Sequence, residues 1–274
     1  MSFLQAILLG IIQGLTEFLP ISSSAHLVLV PYFLGWQIPE EEAFVFNVLV
    51  QNGTLLAVIV YFWKDLINIA RGFLQALLRG QPFGSPEARM GWYLVLATIP
   101  AGLFGLFAKD LIEGAFASAA MTGVFLLVTA ALLALSEWIG KRQRSLEMMN
   151  WKDALIIGAF QAAAVFPGVS RSGSTIAGGI ALNFDRRAAA RFAFLMSIPI
   201  MLAAGLLETV DMLQSPNLTN FLPVVAAGFV TAAVFGYLSI RWLISYLMRH
   251  SLRAFAIYCV VLGALTLAVA FMKG

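Results

Sequence analysis

Two short polar runs interrupt a chain that is otherwise apolar enough for a lipid bilayer, and they constrain its fold more than any other feature. The first is Gln13-Gly14-Leu15-Thr16-Glu17-Phe18-Leu19-Pro20-Ile21-Ser22-Ser23-Ser24-Ala25-His26, and the second is Pro167-Gly168-Val169-Ser170-Arg171-Ser172-Gly173-Ser174-Thr175. A carboxylate, an imidazole or a guanidinium in hydrocarbon costs kilocalories unless it faces a polar cavity, so such residues mark a functional site. The chain as a whole is 61% hydrophobic and 11% charged, with a mean hydropathy of +0.89. That balance leaves no room for a large soluble domain and places the chain in the integral membrane class. Cys259 is the only cysteine and sits in an apolar run, so neither an intrachain disulfide nor a thiolate metal site can form, and it is read as packing. Met1-Ser2-Phe3 carries no Lys or Arg, so a signal peptide is not expected.

A bilayer crossing needs about 20 apolar residues. Runs of that kind occur near residues 43 to 63, 90 to 108, 116 to 138, 192 to 209, 221 to 243 and 254 to 272, which predicts six spans. Four further apolar pieces, near 3 to 16, 22 to 36, 154 to 166 and 174 to 183, are too short to cross. They meet in pairs at the polar runs, and each junction holds a proline, Pro20 or Pro167. Half-helices that dip in and return on the same side explain this, because irregular backbone at membrane depth is tolerated where it lines a protected cavity. Two long kinked helices are the alternative.

The basic residues discriminate between these layouts. Segments 64 to 89, 138 to 153, 183 to 191 and 241 to 253 hold fourteen of the seventeen Lys and Arg residues. The other side receives Lys109 and Lys273 with Glu40, Glu41, Glu42, Asp110, Glu113, Glu208 and Asp211. The positive-inside rule makes the first set cytoplasmic and both termini external. This sorting works only with re-entrant hairpins, since a full crossing at either junction would strand one basic loop on the wrong side. The chain also repeats: Gly10-Ile11-Ile12-Gln13 corresponds to Gly158-Ala159-Phe160-Gln161, Phe18 to Phe166 and, after a one-residue slip, Pro20 to Pro167. The predicted fold is therefore all-α, a single integral membrane domain over 1–274 with six transmembrane helices plus two re-entrant helical hairpins. Its internal repeats, 1–140 and 151–274, have inverted topology and bring the hairpin tips together near the midplane.

At the second tip, Arg171 and the hydroxyls of Ser170, Ser172 and Thr175 precede a helix expected to start near Ser174. Backbone N–H groups at a helix N-terminus with a guanidinium fork suit a phosphate or another oxyanion. Ser172 or Ser174 reads equally as a plain helix cap, and Arg171 as one half of a buried ion pair with Glu17. At the first tip, Gln13 and Glu17 stand four residues apart on one helix face and can together hold a cation or orient water. Ser22, Ser23 and Ser24 supply hydroxyls. His26 titrates near neutral pH and could serve Ser23 as a base, or be a satisfied core histidine.

QGLTEFLPISSSAH and PGVSRSGST resemble the two signature motifs of the undecaprenyl-diphosphate phosphatase family, integral membrane enzymes of the bacitracin-resistance type. FNVLVQNGTLLAV and RFAFLMSIPIM extend the resemblance over most of the chain. It implies removal of the terminal phosphate of undecaprenyl diphosphate, which regenerates the monophosphate carrier for peptidoglycan synthesis at the bacterial cytoplasmic (inner) membrane. It also implies catalytic roles for Glu17, Ser23, His26 and Arg171, support from Ser22, Ser170 and Thr175, and a divalent cation, Mg2+ or Ca2+. Many members carry Glu where Gln13 stands, and the neutral amide puts a two-carboxylate metal site in doubt. The expected partners are a polyprenyl diphosphate lipid and membrane lipids, without nucleic acid and with a homodimer left open. Direct attack by Ser23 and activation of water by His26 both fit. The rival function is a transporter or flippase of an anionic lipid or phosphate, whose folds share inverted repeats and broken helices.

Overall fold

The apolar runs become helices because a backbone without water must satisfy its N–H and C=O groups internally. The computed structural model describes residues 1–107, 118–213 and 218–273. Eleven α-helices occur among them: α1 (Phe3–Phe18), α2 (Ser23–Leu34), α3 (Glu40–Tyr61), α4 (Trp63–Leu78), α5 (Pro86–Phe107), α6 (Ala119–Ile139), α7 (Trp151–Ala163), α8 (Arg171–Ala181), α9 (Arg186–Met212), α10 (Leu218–Leu247) and α11 (Arg253–Lys273). Six are long and apolar enough to cross a membrane: α3, α5, α6, and the stretches Arg186–Val210, Phe221–Leu247 and Arg253–Met272 of α9, α10 and α11. These are the six expected runs. At 1.5 Å per residue, α1 reaches roughly 24 Å and α2, α7 and α8 less, short of the bilayer's core of about 30 Å.

The short helices have well-defined ends. Ser2 and Gln5 form a capping box on α1, Asn150 and Asp153 form another on α7, and neither Pro20 nor Pro167 lies within a helix. One expectation is corrected. The second tip helix does not start near Ser174: Ser170 caps it, with Gly173 N–H donating to Ser170 Oγ at 3.0 Å, and Arg171 is its first residue. Segment 64 to 89, assigned above to the basic side without a secondary structure, is mostly the helix α4.

The helix ends show how the chain is laid out. Glu137, near the end of α6, accepts from Arg186 Nε at 2.7 Å, Arg142 Nη1 at 2.9 Å and Leu252 N–H at 2.9 Å, joining the starts of α9 and α11. Arg191 pairs with Asp65 just beyond α3. Arg144 binds Asp153 in the first turn of α7 and Leu182 O at the end of α8, so the hairpin formed by these two helices begins and ends together. The Asp153 carboxylate holds the Arg144 guanidinium above its ordinary pKa. The amino terminus pairs with Glu42, placing the start of α1 beside the start of α3. Lys109, Asp110 and Glu113, assigned above to this second side, lie outside the described residues, as do the side chains of Asp211 and Lys273.

The core packing pairs α1 with α10, α7 with α5, α3 with α10, and α6 with α11. Close approach is built in at two glycines. A Cβ on Gly10 would lie 2.6 Å from Gly228 O of α10, and one on Gly158 would lie 2.5 Å from Ala97 O of α5. Removing a buried carboxylate that holds two guanidinium groups should weaken this frame. Glu137→Ala is expected to cost about 3 kcal/mol, read as a lower midpoint of thermal unfolding in detergent, and an unchanged midpoint would show that the cluster adds nothing to stability.

Candidate active site

The two polar runs end up in contact, 154 residues apart in sequence. Glu17 lies in the last turn of α1 with its side chain 6% exposed, and its Oε1 accepts from Arg171 Nη2. Its other oxygen, Oε2, accepts from Ser23 Oγ at 2.5 Å and from Gln13 Nε2 at 3.0 Å. One carboxylate therefore collects the guanidinium of one hairpin and the hydroxyl and amide of the other. The ion pair foreseen as the alternative for Arg171 does form. Arg171 retains 22% side-chain exposure, and Ser23 and Ser24 are half-buried, so these residues form the accessible part of the cluster.

Both broken turns bring a helix N-terminus to the same place. Ser22 caps α2 in a conformation unusual for a side-chain-bearing residue, φ 68° and ψ 101°, the kind of strain found where surroundings over-determine a backbone at a site. Gly168, at φ 101°, turns the chain toward α8. The turns are tied to each other: Ser172 Oγ donates to Leu19 O at 3.0 Å, and Gly168 N–H to Ser24 Oγ at 3.4 Å. Thr129 of α6 supports the second turn by donating to Gly168 O at 2.9 Å and accepting from Ser170 N–H at 3.0 Å. The positive ends of two helix dipoles thus converge with Arg171, an arrangement suited to an oxyanion.

Not every expected contact forms. Ser23 does not meet His26: its hydroxyl goes to Glu17, while His26 Nδ1 lies 2.7 Å from Ser22 O and Nε2 2.7 Å from Tyr258 OH. The three-residue spacing places both on α2, but their hydrogen bonds point elsewhere. Ser22, Ser170, Ser172 and Thr175 are buried, and their hydroxyls serve caps and cross-hairpin bonds, Thr175 donating to Arg171 O at 2.8 Å. They shape the turns. Ser174 Oγ is buried without a hydrogen-bond partner, and so is Gln13 Oε1 beside Glu17. Sequence reasoning missed Thr129 and Tyr258, whose only signal is a hydroxyl inside an apolar span. Two clefts, of about 410 and 370 Å³, lie away from this cluster, around α4 and the start of α5.

Six apolar spans around a buried carboxylate, a partly exposed arginine and two helix N-termini define a multi-pass membrane protein with a polar cluster among its helices. The comparisons with known proteins specify the kind. The model of the family described as bacitracin resistance protein BacA matches residues 6–265. An undecaprenyl-diphosphatase of Chlorobium phaeovibrioides is 46% identical, covering 97% of this chain and 96% of the relative. Proteins of the same description from Methanosphaera stadtmanae and Thermomicrobium roseum are 43% and 42% identical, covering 97% and 100% of this chain and 98% and 100% of their own lengths. The chain belongs to the bacitracin resistance protein BacA family.

Proposed function

We infer that this chain hydrolyses undecaprenyl diphosphate to undecaprenyl phosphate and inorganic phosphate, and so returns the lipid carrier to peptidoglycan synthesis and confers bacitracin resistance. Family membership supports the reaction, and one observation carries its chemistry: Glu17 accepts from Ser23 on one oxygen while Arg171, the first residue of α8, sits on the other. The terminal phosphate binds Arg171 and the N-termini of α2 and α8, and its oxygens replace Glu17 as partners of the guanidinium. Glu17 is then left beside the Ser23 hydroxyl to take its proton. Ser23 Oγ attacks the terminal phosphorus, the bond to the bridging oxygen breaks, and undecaprenyl phosphate leaves. Water then cleaves the phosphoserine. Arg171 and the two helix dipoles stabilise the charge that spreads over the phosphoryl oxygens in both steps.

Gln13 and Glu17 would hold the divalent cation, Mg2+ or Ca2+. Their donor set is all oxygen, and Gln13 Oε1 is a buried acceptor without a partner. Among the described residues no group of three His, Cys, Asp or Glu stands ready for a metal, so diphosphate oxygens and water would complete the shell. Held there, the cation would supply charge neutralisation for the diphosphate. The test of the activity is phosphate release from a prenyl diphosphate by purified protein in detergent, where no gradient exists. A phosphatase releases phosphate there and a transporter does not. Rapid acid quenching with terminally labelled substrate should leave label on the protein, absent in Ser23→Ala, and an unlabelled wild-type chain would overturn attack by Ser23.

The layout is that of two re-entrant hairpins in an inverted repeat. Its support is the exchange of partners between halves, α1 on α10 and α7 on α5, with the glycine of close approach at matching positions, Gly10 and Gly158. Fourteen basic residues fall in segments assigned to the cytoplasm, and both termini and Glu41 are external. The site opens toward the outside of the bacterial inner membrane. In a Cys259→Ser background, Glu41→Cys should react with an impermeant thiol reagent in intact cells, and Arg79→Cys only after the membrane is opened. Reversed labelling would overturn the orientation.

A further inference from the structure

The hydroxyl of Tyr258 has no packing reason to be where it is. Tyr258 lies on α11 among Ile257, Val260 and Val261, which are 64%, 48% and 62% exposed, so the surroundings of this face are apolar and phenylalanine would serve there equally well. A hydroxyl in such a place is costly unless it is bonded. Its oxygen lies 2.7 Å from His26 Nε2, and the two rings are almost parallel, 8° apart, with centroids at 5.7 Å. The neighbouring Cys259 Sγ lies 3.7 Å from Pro20 O, so two consecutive residues of α11 meet the first turn of α2 and the broken turn before it.

The other side of the ring determines what this hydroxyl does. Ser22 O is a carbonyl, which only accepts, so His26 Nδ1 carries the hydrogen of their 2.7 Å bond. In the neutral ring Nε2 then holds the lone pair, and the Tyr258 O–H donates to it. In the imidazolium both nitrogens donate, and the same hydroxyl turns to accept. Tyrosine can follow both states of the ring, and phenylalanine neither. Since Ser22 is also the cap of α2, the chain Tyr258 to His26 to Ser22 runs from α11 to the N-terminus on which Ser23 stands.

We propose that Tyr258 is a positioning residue for the phosphatase reaction, holding His26 against the Ser22 carbonyl through every protonation state and thereby fixing the turn that presents Ser23. This rests on the hydrolase reading above. The experiment replaces Tyr258 with Phe, which removes one oxygen and keeps the ring. Phosphate release from a prenyl diphosphate should show kcat lowered about tenfold, the worth of one hydrogen bond, with KM within about twofold. The chain has two histidines, His26 and His250, so a His250→Gln background with nitrogen-15 histidine isolates the resonances of His26. Tyr258→Phe should move the His26 Nε2 resonance toward that of an unbonded nitrogen and shift the Nδ1 resonance as the bond to Ser22 O loosens, a pair of changes that loss of packing alone does not produce. An unmoved Nε2 resonance, or a kcat within twofold of wild type, would overturn the proposal. Absence of phosphate release from the wild-type protein would instead remove the hydrolase reading, while the resonance would still report the bond between Tyr258 and His26.

Discussion

Arg171→Lys is expected to lower phosphate release from a prenyl diphosphate a hundredfold or more. Arg171 opens α8, its guanidinium reaches Glu17 in the other polar run, and its side chain retains 22% exposure, which would let a phosphate approach it. Lysine keeps the charge and loses the planar fork, which can hold two phosphoryl oxygens at once after they replace Glu17 as its partners. The loss of one such contact to developing charge is worth about 3 kcal/mol. The measurement is the initial rate with purified protein in detergent at saturating substrate. Turnover within threefold of wild type would remove the clamp role from Arg171.

Glu17→Gln should reduce turnover at least a thousandfold, roughly 4 kcal/mol, with the larger loss in kcat. The substitution is nearly isosteric, so it isolates the charge from the shape. The carboxylate accepts from Arg171, Ser23 and Gln13 at once. An amide has a single acceptor oxygen and a basicity too low to take the proton of Ser23. It also removes the carboxylate that pairs with Arg171, so the folded fraction is to be checked by gel filtration beside the rate. A Glu17→Gln protein that stays active after chelation of divalent cations would separate Glu17 both from the proton and from any metal.

How much of this was legible in the sequence differs by element. The six spans and the four short pieces follow from apolar length, which leaves few choices for a backbone in hydrocarbon. The helix α4 was hidden because Lys64, Arg71 and Arg79 read as a basic loop, although its apolar residues recur at helical spacing on one face. The start of α8 was misplaced because Ser170, Ser172 and Ser174 are all good caps. Thr129, on another helix, engages both Gly168 and Ser170, and so selects Ser170.

The site divides along the same line. Glu17, Ser23 and Arg171 announce themselves, since charge and hydroxyls in apolar sequence have a cost that only a polar cavity relieves, and that cost is a property of each residue alone. Sequence by itself thus determined the class of protein, the six long apolar helices, the two polar turns and the residues around which they close. Which of those residues bond to one another was decided only by the tertiary structure. Ser23 took Glu17 and not its helix neighbour His26, whose ring went to Tyr258, 232 residues away. The physical reason is range: burial depends on composition over a turn or two of helix, whereas a hydrogen bond requires donor and acceptor within about 3 Å, a proximity between distant segments that only the packing of the helices creates.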